Sequence, residues 1–223
     1  QDVVAAVQWY QRAADSGDLE SKRALGEAMC NLGTAYLEGG LGRMQDDAKA
    51  AYWFRKATDV GVAGAMNSLG YLYASGRGVP KDETKAVQLY AAGANAGSAR
   101  AISNLAHAYW TGQGGLPRDR ARAVALLQTA ADFGIPEAMV TLGVANEYGE
   151  GVEACNAEIA VHWYRKAAET GMAAAMFNLG RACANGIGGL SKDEGAAVEW
   201  YRKAARAGDE EARQLLRGTG YSW

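Results

Sequence analysis

Small and apolar residues recur along the chain at a nearly constant interval. Ala65, Leu69 and Gly76 show the pattern: an alanine, a leucine four residues later, and a glycine eleven residues after the alanine. Apolar side chains at i, i+4, i+5 and often i+8 lie on one face of an α-helix, and a glycine suits the left-handed residue that ends one. The pattern therefore predicts a first helix in each unit. Its alanines stand 36 or 37 residues apart, at Ala28, Ala65, Ala101, Ala138, Ala175 and Ala212.

A second helical pattern follows each first segment after a short loop. It reads Ala-x-x-Trp/Leu-Tyr-x-x-Ala-Ala, as in residues 160–168. An Asx residue precedes each opening alanine by four positions, and we predict N-caps there because an Asx side chain accepts from the free N–H groups of a first helical turn. These N-caps are Asp46, Asp82, Asp119, Asn156 and Asp193. The Trp or Leu of each second segment is expected to fill the space between units, at Trp53, Leu89, Leu126, Trp163 and Trp200.

Units of this size must stack, because a single two-helix unit cannot bury its apolar face alone. The predicted fold is all-α: one domain over residues 1–223, forming a right-handed α/α solenoid of about five and a half two-helix repeats. A longer first interval, from Trp9 to Trp53, predicts an extended first helix over residues 18–37. The expected boundaries are a partial unit at 1–17, repeats at about 18–64, 65–100, 101–137, 138–174 and 175–211, and a C-terminal cap at 212–223.

Two strings carry a family resemblance. Residues 65–73 read AMNSLGYLY and residues 163–171 read WYRKAAETG, and their counterparts recur through nearly the whole chain. This motif resembles the Sel-one-like repeat family, a relative of the tetratricopeptide repeats. The resemblance implies a helical solenoid that scaffolds protein complexes through a concave surface.

Polar side chains occupy one outward position on every first helix, at Asn31, Ser68, Asn104, Thr141 and Asn178. Two interpretations are open. The series could form a polar ladder that binds the backbone of an extended peptide, or each side chain could bond to the adjacent repeat. We favour the second, because side-chain amides in such places usually serve local hydrogen bonds.

Other outward positions differ from repeat to repeat, as expected of a surface that recognises a partner. The first series is Thr34, Tyr71, His107, Val144 and Arg181, and the next turn holds Leu37, Ala74, Trp110, Glu147 and Ala184. Trp110 and Tyr148 fit a binding hot spot or simple packing over a neighbouring helix equally well. The predicted partner-binding set is Asn31, Thr34, Ser68, Tyr71, Asn104, His107, Trp110, Thr141, Glu147, Tyr148, Asn178 and Arg181.

Composition and charge narrow the range of partners. Basic residues number 23 and acidic residues 25, for a net charge of −2, which favours neither nucleic acid nor an anionic membrane as a partner. No uninterrupted apolar stretch long enough to span a membrane occurs, so direct membrane insertion is not expected. Three cysteines without a CxxC motif favour the cytoplasm or another reducing compartment, with no metal site and no cofactor. We expect Cys30 and Cys183 to be small core residues and Cys155 to be exposed in a loop.

Sequence motifs of catalysis are missing. The two imidazoles, His107 and His162, lie in different units, and His162 is expected to face solvent. The sequence therefore predicts a non-enzymatic scaffold or adaptor that binds a protein or peptide, alone or as a member of a larger complex. Two alternatives stay open: a structural subunit of a larger assembly, or a hydrolase with its active site in the groove. A deep pocket that joins Glu147, His107 and Arg181 would favour the hydrolase.

Overall fold

The computed structural model describes residues 19–39 and 45–219, and this part of the chain is helical, without strands. The all-α class is confirmed. The α-helices are α1 (Leu19–Glu38), α2 (Asp47–Asp59), α3 (Ala63–Ser75), α4 (Glu83–Asn95), α5 (Ala99–Thr111), α6 (Arg120–Asp132), α7 (Pro136–Tyr148), α8 (Ala157–Glu169), α9 (Ala173–Asn185), α10 (Glu194–Arg206) and α11 (Glu210–Gly218). A short 3-10 helix, Gln113–Gly115, follows α5.

Local signals set the helix ends where the sequence predicts them. Asp46 begins the pattern: its carboxylate accepts a hydrogen bond from the Lys49 backbone N–H at 2.9 Å. The other four predicted N-caps make the same bond, namely Asp82, Asp119, Asn156 and Asp193. Helix α3 ends at Gly76, whose φ of 70° lies in the left-handed region that glycine adopts without strain. The extended first helix is also confirmed, since α1 runs for 20 residues where the helices from α2 to α10 have 13.

The chain divides into two compact units, residues 1–118 and 119–223. In the first unit, α1 packs on α2, α2 on α3, α3 on α4 and α4 on α5, and α3 also contacts α5 directly. In the second unit the same succession runs from α6 to α11. Each unit is thus a stack of helical hairpins, as the solenoid prediction requires. That the whole chain forms a single domain stays a prediction, and the expected partial unit at 1–17 and the tail Tyr221–Trp223 lie outside the described residues.

A glycine on a first helix receives an aromatic ring from the second helix in most repeats. A Cβ on Gly70 would lie 2.7 Å from Cε1 of Tyr90, and a Cβ on Gly180 would lie 2.6 Å from Cε1 of Tyr201. The other two pairs are Gly33 with Phe54 and Gly143 with Tyr164. Glycine is favoured there because an added Cβ would overlap the ring in its present position. These contacts bring the paired helices close together and bury the rings.

The residues predicted to fill the space between units are only partly confirmed: Trp53, Leu89 and Trp200 pack against the hydrophobic core without being fully buried. Of Trp53, Leu89, Leu126, Trp163 and Trp200, only Trp163 is buried, and the other four are half-buried. The buried position is one residue later, at Phe54, Tyr90, Leu127, Tyr164 and Tyr201. One residue turns a side chain by about 100° on a helix, which places the later residue over the first helix and the earlier one at its edge. Two of the Trp rings lie beneath a lysine: Lys166 Nζ is 4.8 Å from the Trp163 ring centroid and Lys203 Nζ is 4.2 Å from that of Trp200.

Candidate functional site

All twelve predicted partner-binding residues lie on first helices of the hairpins. In the first unit α1 carries Asn31 and Thr34, α3 carries Ser68 and Tyr71, and α5 carries Asn104, His107 and Trp110. In the second unit α7 carries Thr141, Glu147 and Tyr148, and α9 carries Asn178 and Arg181. The structure therefore brings the set together as two groups, one in each unit.

Several polar side chains of this set make local hydrogen bonds. Asn104 Nδ2 donates to Asn67 Oδ1 of the preceding repeat at 2.8 Å, which is the bond between repeats that we favoured. Ser68 and Thr141 do not reach another repeat: each hydroxyl donates to the carbonyl four residues earlier in its own helix, at 3.1 and 2.9 Å. The expectation that every member bonds to the adjacent repeat is wrong for these two, because a serine or threonine side chain is too short to leave its own helix.

Glu147, Tyr148 and Arg181 form one cluster in the second unit. Arg181 donates through Nη2 to both Glu147 carboxylate oxygens, at 2.9 and 2.7 Å, and through Nη1 to the Tyr148 hydroxyl at 2.7 Å. A fourth member comes from the second helix α8: the Tyr164 hydroxyl donates to Glu147 Oε2 at 2.8 Å. Tyr164 is not among the predicted site residues, because its repeat position indicates only a core residue.

The centre of this cluster is largely buried. The Glu147 side chain is 12% exposed and that of Arg181 33% exposed, so water competes little for the carboxylate. Burial, and then the hydrogen bond to Glu147, raise the pKa of the Tyr164 hydroxyl above its ordinary value. Both Glu147 oxygens already accept bonds from Arg181. The cluster therefore holds Tyr148, 54% exposed, in a fixed position at the surface.

The first unit has a small cavity lined by Ala74 and His107, which hold the repeat positions of Glu147 and Arg181. It has a volume of about 150 Å³ and lies between α3, α4, α5 and the 3-10 helix. Its lining consists of Ala74, Glu83, Ala86, Val87, Tyr90, Asn104, His107 and Gln113. Two of the predicted site residues, Asn104 and His107, belong to this lining. Three further lining residues, Glu83, Tyr90 and Gln113, are not among those predicted from the sequence, because only the stacking of the hairpins brings them to the first helices.

Two aromatic residues of the predicted set differ in exposure. Tyr71 on α3 is 47% exposed. Trp110 on α5 is half-buried, and its backbone carbonyl accepts a hydrogen bond from Arg118 Nε at 3.0 Å. Tyr71 thus presents much of its ring to solvent, whereas part of the Trp110 ring packs against the protein.

The histidines and cysteines differ in exposure. His162 is exposed, as predicted, with its ring edge-on to Trp163 at 5.5 Å. Cys155 is exposed and Cys183 is buried, both as predicted, while Cys30 is only half-buried. Over residues 19–39 and 45–219, no three His, Cys, Asp or Glu side chains are grouped so that they could hold a metal ion. None of the helices in those ranges combines the length and the apolar character needed to cross a bilayer.

The polar groups that would favour a hydrolase are distributed over both units. Glu147 and Arg181 belong to the second unit and bind each other, whereas His107 lines the cavity of the first. A hydrolase site of the kind considered above requires Glu147, His107 and Arg181 in one pocket. Within each unit, the described residues place no such trio together.

Comparison with known proteins identifies the repeat. The model of the Sel1 repeat matches residues 1–18, 26–62, 63–98, 99–132, 136–172 and 173–209. Such repeats generally serve as protein-interaction scaffolds, and the family is typically non-enzymatic. No curated protein matches the chain.

Solved structures give the same result for the fold. A protective antigen present in uropathogenic Escherichia coli strains, which displays an SLR fold, is 29% identical with a TM-score of 0.76 over 99% of this chain and 46% of its own. A Sel1 repeat protein from Oxalobacter formigenes is 30% identical with a TM-score of 0.74, over 98% of this chain and 60% of its own. The chain thus spans about half the length of these two proteins. An immunity protein from Pseudomonas aeruginosa, at 21% identity and a TM-score of 0.58 over 84% of this chain and 67% of its own, shares the fold.

Proposed function

Because the chain belongs to the Sel1 repeat family, we propose that it is a non-enzymatic scaffold or adaptor that binds a peptide or a partner protein on the surface formed by its first helices. The observation that carries the proposal is the pair of exposed tyrosines on these helices, Tyr71 in the first unit and Tyr148 in the second. Tyrosine is enriched at interface hot spots because its large ring combines apolar area with one hydroxyl.

The mechanism that we propose is preorganisation. A ring that is already fixed loses little conformational freedom when a partner covers it, so more of the contact energy remains as affinity. Arg181 fixes Tyr148 in this way, with its guanidinium carbon 5.8 Å from the ring centroid in addition to the hydrogen bond to the hydroxyl. Several such contacts, repeated from hairpin to hairpin, would add up over an extended partner.

Site-specific photo-crosslinking tests the proposal. Benzoylphenylalanine replaces Tyr71 in one variant and Tyr148 in another, and the full chain is irradiated in cells of its source and analysed by mass spectrometry. Tyr52 is a matched control, because it is a tyrosine of similar exposure, 50%, on the second helix α2. We expect one partner protein to crosslink at positions 71 and 148 and not at 52.

The control position also separates the alternatives. Crosslinks concentrated at position 52 would contradict binding on the first helices and would favour the structural subunit, whose second helices are covered in an assembly. Unfolding temperatures of all three variants are compared with that of the unmodified chain, because a variant that does not fold would not report on binding.

A further inference from the structure

Three repeats present a tyrosine ring on a glycine in the same geometry, and one repeat of each unit is compared here. In the first unit Cδ1 and Cε1 of Tyr90 lie against Gly70, and in the second unit the same two ring atoms of Tyr164 lie against Gly143. The residue four positions after each glycine is one helical turn further on, on the same face of the first helix. In the second unit the Tyr164 hydroxyl reaches that residue, and in the first unit that residue and Tyr90 line the same cavity.

The two repeats differ at that next residue. After Gly143 it is Glu147, whose carboxylate accepts bonds from Tyr164 and from Arg181 of the next first helix. After Gly70 it is Ala74, which has no polar side chain. The first unit therefore has the tyrosine but no carboxylate over it.

The missing side chain leaves a space with hydrogen-bond donors around it. Ala74, Tyr90 and His107 all line the cavity of about 150 Å³, and His107 occupies the repeat position of Arg181. Asn104 adds an amide to the wall. A cavity of about this volume accommodates a benzene-sized group, which is more than a carboxylate on two methylene groups requires.

One acidic residue also lines the cavity, and its charge is already compensated. The Glu83 carboxylate lies 2.7 Å from Lys81 Nζ, and this interaction lowers the pKa of Glu83 below its usual range. The Lys81 ammonium therefore offsets the repulsion that Glu83 would exert on a second carboxylate. The remaining polar groups of the lining are neutral or, for His107, able to donate in either protonation state.

We propose that this cavity is a binding subsite for the side-chain carboxylate of a glutamate in a bound peptide. The ligand carboxylate takes the place that Glu147 holds in the second unit, accepting from the Tyr90 hydroxyl and the His107 imidazole. This inference rests on the proposed function, because the subsite recognises one negatively charged side chain of a peptide bound to the first helices. Shape and donors together select glutamate over neutral or basic side chains.

Nuclear magnetic resonance of the full chain tests the subsite with a minimal probe. N-acetylglutamate α-amide is titrated at pH 7 while the Ala74 methyl and His107 imidazole signals are observed. We expect saturable shifts of both signals, and roughly tenfold weaker binding of the matched glutamine compound, which lacks the charge. Stronger binding of the matched lysine compound, or no saturable shift, would overturn the proposal.

Variants locate the effect in this cavity. Ala74→Glu supplies an internal carboxylate and is expected to abolish binding of the probe with no loss of thermal stability. Ala184→Glu is the matched control, because Ala184 holds the same repeat position on α9, and its binding is expected to equal that of the unmodified chain. Tyr90→Phe is expected to weaken binding several-fold. Unchanged binding in Ala74→Glu would overturn the proposal.

Peptide selection separates this inference from the proposed function. Peptides from a random library displayed on phage are selected on the full chain and then tested against Ala74→Glu and against Tyr71→Ala. A shared glutamate in the selected peptides, with binding lost in Ala74→Glu, supports the subsite. Peptides that need Tyr71 but carry no acidic position would overturn the subsite and leave the proposed function standing.

Discussion

The hydroxyl of Tyr164 donates to the Glu147 carboxylate across 2.8 Å, although Tyr164 is one of the most deeply buried side chains of the described chain. The tyrosine belongs to the core of its hairpin, and the glutamate belongs to the surface formed by first helices. The bond therefore connects the core directly to that surface. Through Arg181 the hydrogen-bonded chain also reaches the exposed ring of Tyr148.

Removing this hydroxyl is expected to destabilise the fold. Tyr164→Phe keeps the ring on Gly143 but leaves one buried bond to Glu147 unmade, which costs about 1 kcal/mol of unfolding free energy. Tyr201→Phe is the matched control, because Tyr201 lies on Gly180 in the same way and Ala184 follows where a glutamate would stand. Urea unfolding followed by circular dichroism measures both. An equal loss in the two variants would contradict a specific role for the bond.

The contact between glycine and ring predicts a second effect. Gly70→Ala adds a Cβ 2.7 Å from the Tyr90 ring and 3.2 Å from the Ala86 carbonyl oxygen, and such overpacking costs about 1–3 kcal/mol. Alanine regains about 0.5–1 kcal/mol of helix propensity, so the net loss of stability is expected to be about 1 kcal/mol. Gly64→Ala on the same helix is the control, because nothing lies within 4 Å of its added Cβ. It is expected to stabilise the chain in the same urea measurement.

The sequence itself suggests how to relieve that clash. The repeat that carries Ala106 at the glycine position carries Leu127 at the ring position. In the double variant Gly70→Ala with Tyr90→Leu, we expect the loss to be smaller than the sum of the two single losses, because the smaller side chain makes room for the methyl group. Additive losses would show that the two positions do not compete for the same space.

How much of the fold could be predicted from the sequence depends on how far apart in the chain the interacting residues lie. The caps at Asp46 and Gly76 were predictable because each is decided within four residues of sequence. The choice between Trp53 and Phe54 as the buried residue was not, since both are large and apolar and lie on adjacent faces of α2. The clue was present in the glycine that four of the first helices carry, at Gly33, Gly70, Gly143 and Gly180, because its bare surface leaves room for a ring.

The candidate site was harder to predict than the fold. Glu147 and Arg181 were singled out one by one for their variability, but their ion pair joins residues 34 positions apart in different repeats. The cavity beside His107 results from the small size of Ala74, and repeat position alone does not show whether neighbouring side chains fill the space above an alanine.

The pairing of Arg77 with Asp47 predicts a dependence of stability on pH. The guanidinium donates to both carboxylate oxygens, at 2.9 and 2.8 Å, and holds the pKa of Asp47 below its usual value of 3.8. The backbone and side chain of Lys49 lower the pKa of Asp46 likewise. A lowered pKa in the folded state means that the ionised form stabilises the fold. This contribution is complete well above pH 3.8 and is lost as the pH falls below that value through the lowered pKa.

Urea midpoints measured between pH 7 and pH 2.5 check this dependence. We expect the midpoint of the unmodified chain to fall below about pH 4, and Asp47→Asn to be less stable at pH 7 with a shallower fall, because its side chain cannot ionise. Asp59→Asn, an exposed position on the same helix, is the control and is expected to keep the full slope. A steeper fall in Asp47→Asn than in the control would contradict the argument.

The three free cysteines are expected to differ in reactivity towards N-ethylmaleimide. The thiolate is the reactive form, and burial raises the pKa of the Cys30 and Cys183 thiols, whereas Cys155 is exposed. Peptide mapping at pH 7 is expected to show modification of Cys155 first, then of Cys30, and of Cys183 last, because a buried thiol reacts only when its hairpin opens. Low urea, below the unfolding midpoint, should speed the reaction of Cys183 and leave that of Cys155 unchanged. Equal initial rates at Cys155 and Cys183 in native buffer would show that the α9–α10 hairpin does not protect its core.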